Sequence, residues 1–583
     1  MMLVVPVAEL LLRPTLSTGI ENAPILVQHF GLVLAMFGAI VAERGGHLVA
    51  LGSSFANAAH PWVRQGTQWL AHAGSGLVCG TLAFTSGQFV ATEFAFPQVV
   101  AYGIPAWLFQ ATMPLGFTWL GVAIAARTCR ATLAGLAMGL AFTGLGAFLA
   151  FQLGDQELPF WLPMAGLLAL LACGAPIFAV LGGLALALFW SEGQPLAAVP
   201  LSHYQITVNP SLPALPLFTL AGLVFARTGA AARLADLFTA LFGEGAVGTV
   251  IAVAVLCSIF TAFTGGSGVT ILALGGLLLP LLVRTGYPER LGISLVTSSS
   301  ALGVLIAPSV PLIMYAILAR VPINAMFLAG LVPAVIMVVA LLWIGGYLRV
   351  ANARAERHRP DLGHIRSAAS KARWEIAAPL VAIGSLVSGL ATPTESAALT
   401  TAYALLTQSI AHREIDGRKL VECLVECAQV IGGIMLILGM ALGLTNYLVD
   451  AGIPDQAVDW VQAALPDRVA FLIALNLFLL LAGALMEIYV AITVLVPMLL
   501  PIALSYGIDP IHFGVIFLAN IEMGFLCPPA GMNIYFASAM YGKPVRFIAA
   551  SVARAVLAML IGTLIISFLP AVATALPRAM GFM

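Results

Sequence analysis

Apolar runs long enough to cross a bilayer recur from end to end of the chain, and short segments that collect the few charges separate them. A helical span needs about 20 apolar residues, and residues 25–42, 67–91, 102–126 and 131–152 each read as one crossing. Residues 160–190 are longer than one helix and are interrupted at Gly174-Ala175-Pro176, where proline removes a backbone donor, so a hairpin is expected there. Residues 207–227 read as a single return crossing. The stretch 246–284 centres on Gly265-Gly266-Ser267-Gly268 and reads as another hairpin; so do 374–410, broken at Thr392-Pro393, and 468–506, turning near Met486-Glu487. Two single crossings, 290–318 and 511–540, are each broken by proline, at Ala307-Pro308-Ser309-Val310-Pro311 and at Cys527-Pro528-Pro529-Ala530-Gly531. Breaks of this kind survive in a membrane only where protein or a wet cavity satisfies the freed backbone groups.

Charge turns this pattern into a topology. Basic residues mark the cytoplasmic side, and the densest cluster, Arg349 to Arg373, places that loop inside. Arg413, Arg418 and Lys419, the pairs Arg127/Arg130, Arg227/Arg233, Arg284/Arg290 and Lys543/Arg546, and Arg44 are further inside markers. The acidic loops with Glu93, with Asp155 and Glu157, and with Asp450, Asp455 and Asp459 go outside. Parity then makes 246–284 a re-entrant hairpin opening inward and 468–506 one opening outward.

Composition closes off other classes. Of 583 residues 61% are hydrophobic and only 9% charged, with mean hydropathy +1.04, so no segment remains for a soluble catalytic domain or a nucleic-acid-binding module. Net charge is +0, and nothing calls for a polyanionic partner. The seven cysteines are scattered through apolar runs, and even Cys423 and Cys427, at helical spacing, lack neighbouring histidines; they read as small packing residues. Met1 to Leu12 is too short to span and no cleavage signature follows it, so no signal peptide is expected. A membrane-embedded hydrolase would need a motif such as HExxH or GxSxG, and neither occurs.

The two halves of residues 160–583 resemble each other. Gly286-Tyr287-Pro288 answers Gly507-Ile508-Asp509-Pro510 at an offset of 221 positions, Pro280 answers Pro501, and Pro308 answers Pro529 at the same offset. Ala235-Asp236-Leu237 answers Val458-Asp459-Trp460, and Gly174-Ala175-Pro176 answers Ala391-Thr392-Pro393. Each element faces opposite to its counterpart under the charge-derived topology. The expected fold is therefore all-α: a polytopic membrane protein with inverted-topology repeats, two re-entrant helical hairpins and two broken helices. Such repeats build secondary transporters, with the site at the midplane between hairpin tips and helix breaks.

At these residues the chain resembles the permeases of the tripartite ATP-independent periplasmic (TRAP) transporters. The resemblance rests on Pro216-Leu217-Phe218-Thr219-Leu220-Ala221-Gly222, the Gly/Ser tip, Leu302 to Pro311, Ala391-Thr392-Pro393-Thr394-Glu395, and Gly507 to Gly514 leading into Pro528-Pro529-Ala530-Gly531-Met532-Asn533. It covers roughly 160–570. Ala42-Glu43-Arg44-Gly45-Gly46-His47-Leu48 and Gly103-Ile104-Pro105 look like the family's small subunit, which implies a fused chain: 1–130 small-subunit-like, 131–159 a connecting transmembrane helix, 160–583 the large permease. Within the last, repeat 1 runs over about 160–347, the cytoplasmic loop over 348–373 and repeat 2 over about 374–570. The family usually shows Ser-Gly-Ser-Ser where this tip has Gly-Gly-Ser-Gly, and Ala307 replaces the first of two prolines.

The resemblance implies Na⁺-coupled, elevator-type uptake of a small organic anion, a carboxylate such as a C4-dicarboxylate, across a bacterial or archaeal cytoplasmic membrane. A periplasmic substrate-binding protein would deliver it, with Na⁺ as coupling ion and no other cofactor. The alternative is a carboxylate transporter of related hairpin architecture, coupled to Na⁺ or H⁺ and working without a binding protein. Half-helix N-termini can receive an anion and unwound carbonyls can ligate Na⁺. On that ground Gly265, Gly266, Ser267, Gly268 and Thr270 are substrate or ion candidates at the first tip. A glycine-rich helix contact is the competing reading. Pro308 and Ser309 at one break, and Pro528, Pro529, Gly531 and Asn533 at the other, are candidates because the breaks are symmetric. Ser298 joins them, although Thr297, Ser298, Ser299 and Ser300 serve equally well as interhelical hydrogen-bond donors. Among the acids in apolar runs, Glu487 is preferred because the 221-residue offset sets it opposite Gly266; Glu522 is a second possible carrier, and Glu395 reads as structural. Na⁺ ligation is expected at Gly266, Ser267, Pro308, Glu487 and Pro528, mainly through backbone carbonyls. Glu43, Arg44 and His47 read as an interfacial charge group.

Overall fold

The computed structural model describes all residues except 17–18, 47, 49, 51–59, 130–131, 154–158, 160, 244, 353–361, 530 and 583. His47, Arg130, Asp155, Glu157, Arg354, Glu356, Arg357, Arg359, Asp361 and Ala530, all used in the sequence reading, lie outside the described residues. Apart from a short ribbon pairing Val99–Ala101 with Ile104–Pro105, the regular structure described is helical, with eleven helices long and apolar enough to cross a membrane. The chain divides into two compact units, Met1–Pro216 with Leu424–Asp455, and Leu217–Cys423 with Gln456–Met583.

In the first unit the expected crossings appear as Ala23–Gly45, Pro61–Ala95, Thr112–Ala126 and Thr132–Leu153, followed by the hairpin Trp161–Ala172 and Ile177–Ser191. Small residues let these helices approach closely: a methyl added at Gly80 would collide with the Thr143 carbonyl. Glu43 departs from the expectation of an interfacial charge. It is buried, and Arg127, returning at the end of Thr112–Ala126, meets its carboxylate at 2.7 Å. All seven cysteines are free thiols.

The second unit contains the tip hairpin and the broken span of each repeat. One boundary is corrected here. The crossing expected over 207–227 is a 13-residue helix, Ala214–Ala226, because Pro210 and Pro213 deny the preceding turn its donors. After a 73° bend it continues as the amphipathic helix Ala230–Phe242. The first tip hairpin is Ala246–Thr264 and Ser267–Arg284, and the first broken span Glu289–Leu302 and Val310–Leu318. Their counterparts are Arg468–Leu485 with Ile488–Ser505, and Pro510–Gly524 with Met532–Tyr541. Packing exchanges partners between repeats. The second arm of the first hairpin lies on Met532–Tyr541, and the second arm of the second hairpin lies on Val310–Leu318.

Residues that charge alone assigned to one side also meet. Lys543 pairs with Glu289 at 3.0 Å. Arg233 reaches Glu375 at 2.7 Å, Glu414 at 2.6 Å and Gln408 at 2.8 Å, which fastens the amphipathic helix of repeat 1 to the start of repeat 2. Partial burial opposes ionisation of Glu414, but the Arg233 guanidinium and the Gly229 amide together hold its carboxyl below the usual carboxylate range. The stability this contributes is complete above the unfolded-state value and is lost as pH falls through the folded one. Arg233→Ala should therefore cost about 3 kcal/mol, since it strips the buried Glu375 of its guanidinium, and should flatten the acid-side decline. Thermal unfolding in detergent against pH measures both; an unchanged melting curve would show the cluster to be incidental.

Candidate functional site

At the first tip the chain reverses over two residues. Gly265 ends the first arm at φ +72°, a left-handed conformation that favours glycine, and its N–H closes on the Thr261 carbonyl. Gly266 is extended and starts the second arm. Ser267 and Gly268, expected within the tip, are instead the first residues of that arm's helix, because the turn is complete at Gly266. Thr270 bonds the Thr261 hydroxyl at 2.7 Å and the Thr264 hydroxyl at 3.1 Å, so it clamps the two arms together.

The second tip turns at Met486 and Glu487. Glu487 is half-buried and caps its own helix, its carboxylate accepting from the Tyr489 amide at 2.9 Å and the Val490 amide at 3.4 Å. It occupies the position of Gly266 in the other hairpin, the residue before the first helical one, as the repeat offset required.

The two breaks differ in setting. In the first, Gly303–Leu305 tightens into a single 3₁₀ turn before Pro308 and Ser309, which are buried, and the Ser309 hydroxyl has no partner. In the second, Pro528 and Pro529 are exposed while Gly531 and Asn533 are buried. There the Gly531 N–H bonds the Cys527 carbonyl at 3.0 Å and the Asn533 N–H the Phe525 carbonyl at 3.2 Å, which satisfies groups the interruption frees.

Tips and breaks are joined across the repeats. The Ser267 hydroxyl donates to Asn533 Oδ1 at 2.9 Å, and the Tyr489 phenol donates to the Gly265 carbonyl at 2.7 Å. Tyr489 was not singled out in the sequence, where one aromatic on an apolar helix carries no signal. Glu522 is buried on Pro510–Gly524. On these elements Ser309 Oγ, Ser298 Oγ, Asn533 Nδ2 and Glu522 Oε2 are buried without a hydrogen bond, as are polar atoms elsewhere such as His203 Nε2 and Thr219 Oγ1.

Other candidates have local duties. Thr297, Ser299 and Ser300 bond carbonyls one turn back on their own helix, which leaves Ser298 as the only one of the four without a hydrogen bond. Glu395 completes a capping box with Thr392. Gly268 is a packing position, since a methyl there would run into the Phe536 ring. Gly266 is not: an added methyl would meet nothing nearer than Val269 at 3.9 Å.

Residues 164–572 match the family described as the tripartite ATP-independent periplasmic transporter, DctM component. The chain belongs to that family. Among its relatives, the C4-dicarboxylate TRAP transporter large permease protein DctM of Pseudomonas aeruginosa is 30% identical over 69% of this chain and 93% of its own. The isethionate TRAP transporter permease protein DctMQ of Oleidesulfovibrio alaskensis is 30% identical over 69% of this chain, which spans 64% of that relative's length. The YdaH transporter of Alcanivorax borkumensis, a solved structure, aligns with TM-score 0.48 and 15% identity over 61% of this chain and 84% of that one. The protein is a multi-pass permease of the inner membrane, and it is not an enzyme.

The geometry of this permease separates two roles for glycine at the first tip. Gly266→Leu should insert and melt like the wild type, because the site is open and its backbone is extended, yet abolish uptake if the tip closes on a ligand. Gly268→Leu should instead lower stability by about 1–3 kcal/mol through overpacking against Phe536. Thermal unfolding in detergent and uptake in proteoliposomes distinguish them; near-normal uptake by Gly266→Leu would remove the tip from the mechanism.

Proposed function

We propose that this permease couples the inward movement of Na⁺ to uptake of a small organic anion of the carboxylate class, handed over by a periplasmic substrate-binding protein. The observation that carries the reading is the cross-repeat joining of two hairpin tips to two helix breaks, Ser267 to Asn533 and Tyr489 to Gly265. Three of the four half-helices that begin there, at Ser267, Val310 and Met532, have no side-chain cap, so their positive dipole ends can face an anion, although the Asn533 N–H is already given to the Phe525 carbonyl and Pro311 has none to offer. The fourth is capped by the Glu487 carboxylate, which answers its own amides and biases the second tip toward a cation. Carbonyl and hydroxyl oxygens around Gly265, Gly266, Ser267 and Pro308 are the hard donors Na⁺ requires. Movement of the hairpins and broken helices past the remaining helices, in elevator fashion, would carry the site between the two faces.

The N-terminal helices act in this reading as a fused small subunit, as the name of the relative DctMQ suggests. That fusion favours working with a binding protein over the binding-protein-independent alternative. The names of relatives offer isethionate, C4-dicarboxylates and sialic acid as first solutes to try.

Proteoliposomes containing the full chain, with its binding protein and a radiolabelled panel of those anions, supply the test. An inward Na⁺ gradient should drive accumulation that collapses when K⁺ replaces Na⁺. Equal uptake in K⁺ would refute sodium coupling, and equal uptake without the binding protein would refute the tripartite reading.

A further inference from the structure

The amphipathic helix Ala230–Phe242 packs on the first arm of the first tip hairpin and on Leu362–Lys371, with Leu237 and Ala240 against Ala368 and Ala372. Between it and the second arm, Ser267–Arg284, lies a cleft of about 440 Å³. Arg233 and Asp236 stand in one wall, and Gly276, Pro280 and Arg284 in the other.

The charges in this cleft are unequally used. Arg233 is spent on Glu375, Glu414 and Gln408. Asp236 and Arg284 are exposed, and among the described residues neither side chain makes a hydrogen bond or an ion pair, with the other or with any third group. Pro280 has no N–H to give the Gly276 carbonyl, so an acceptor without its usual helical partner lies in the same wall as Arg284. A cation and an anion are thus held apart across one cleft.

The second arm extends away from the cleft with a different surface. Its exposed positions Val269, Leu272, Leu277, Pro280 and Val283 form one stripe, because residues three and four apart share a helix face. The stripe is apolar, about 20 Å long by helical rise, and it ends at Arg284. Exposed apolar surface of that extent marks a face toward lipid or a partner. Arg233 and Arg284 set the cleft at the cytoplasmic interface, where head groups lie. A soluble ion would use the cleft and leave the stripe bare, and a hydrocarbon would do the reverse. A phospholipid uses both.

The charges select its head group. An anionic one would meet Arg284 and be repelled by the Asp236 carboxylate. A choline carries its charge on a methylated nitrogen with no N–H for a carboxylate or a carbonyl, whereas a primary ammonium supplies three. We propose that the cleft binds a zwitterionic phospholipid of the cytoplasmic leaflet whose head group ends in a primary ammonium. Its phosphate lies against Arg284, its ammonium against Asp236, and an acyl chain along the stripe.

The test titrates the purified, delipidated full chain with phosphatidylethanolamine, phosphatidylcholine and phosphatidylglycerol of identical acyl chains, and reads bound lipid by native mass spectrometry. Phosphatidylethanolamine should bind about two- to fivefold tighter than the other two, the size expected of an exposed ion pair. Asp236→Asn should remove that preference, and Arg284→Gln should weaken phosphatidylethanolamine and phosphatidylglycerol alike. Both side chains are exposed and unpaired, so both variants should melt like the wild type. Equal binding of the three lipids, a preference for phosphatidylglycerol, a preference that survives Asp236→Asn, or undiminished binding in Arg284→Gln would each overturn the proposal. Cross-linking of the wild type with a phosphatidylethanolamine that carries a photoreactive group on its acyl chain checks the place without any variant. Adducts within 269–283 support the site, and adducts confined to other helices overturn it.

Discussion

A helix interrupted inside hydrocarbon frees amide and carbonyl groups that no water can reach, and residues 246–541 hold four such interruptions, two at hairpin tips and two within broken spans. Each must lie where protein satisfies it, and the structure meets that demand by setting every interruption against one from the other repeat. The exchange of partners follows: the second arm of each hairpin packs on the broken half-helix of its counterpart. Local bonds such as Gly531 to Cys527 and Thr270 to Thr261 complete the accounting, while Ser298 Oγ, Ser309 Oγ, Asn533 Nδ2 and Glu522 Oε2 on the same elements keep no hydrogen bond. On the proposed reading, a site for a charged ligand is a by-product of the constraint that lets the breaks exist.

The repeats agree in backbone and differ in chemistry. Gly266 and Glu487 hold the same place, yet one is bare and the other caps its helix with a carboxylate. Ser267 and Asn533 are hydrogen-bonded, while the positions 221 residues away from each are Ile488 and Leu312. Tyr489 answers Gly268, and each packs across the repeat boundary, one as a donor and the other as a space. Two-fold symmetry builds the frame, and a handful of side chains depart from it.

Much of this frame was legible in the sequence because proline and glycine act locally. Pro176, Pro308, Pro393 and Pro529 stand where their runs break, which locates the hairpins and breaks within a few residues, whereas Pro280, Pro333, Pro379, Pro497 and Pro501 lie inside continuous helices. The 221-residue offset likewise put Glu487 at the facing tip. Cross-repeat pairing was illegible, since nothing in an apolar helix says which neighbour it will meet. Tyr489 to Gly265 and Ser267 to Asn533 both depend on it. The same gap hid the burial of Glu43 against Arg127 and the packing role of Gly268. The crossing expected over 207–227 failed for a different reason: Pro210 and Pro213 were counted as part of an apolar run when they end one.

The claim on which the rest depends is that the two repeats enter the membrane from opposite faces, so that their tips converge. Arg284 and Ser505 are equivalent exposed positions at the open ends of the two tip hairpins, 221 residues apart. The decisive measurement is labelling of Arg284→Cys and Ser505→Cys with a membrane-impermeant maleimide in right-side-out and inverted vesicles. The account predicts that Arg284→Cys reacts only from the cytoplasmic face and Ser505→Cys only from the outer one. Reaction of both from the same face would contradict it.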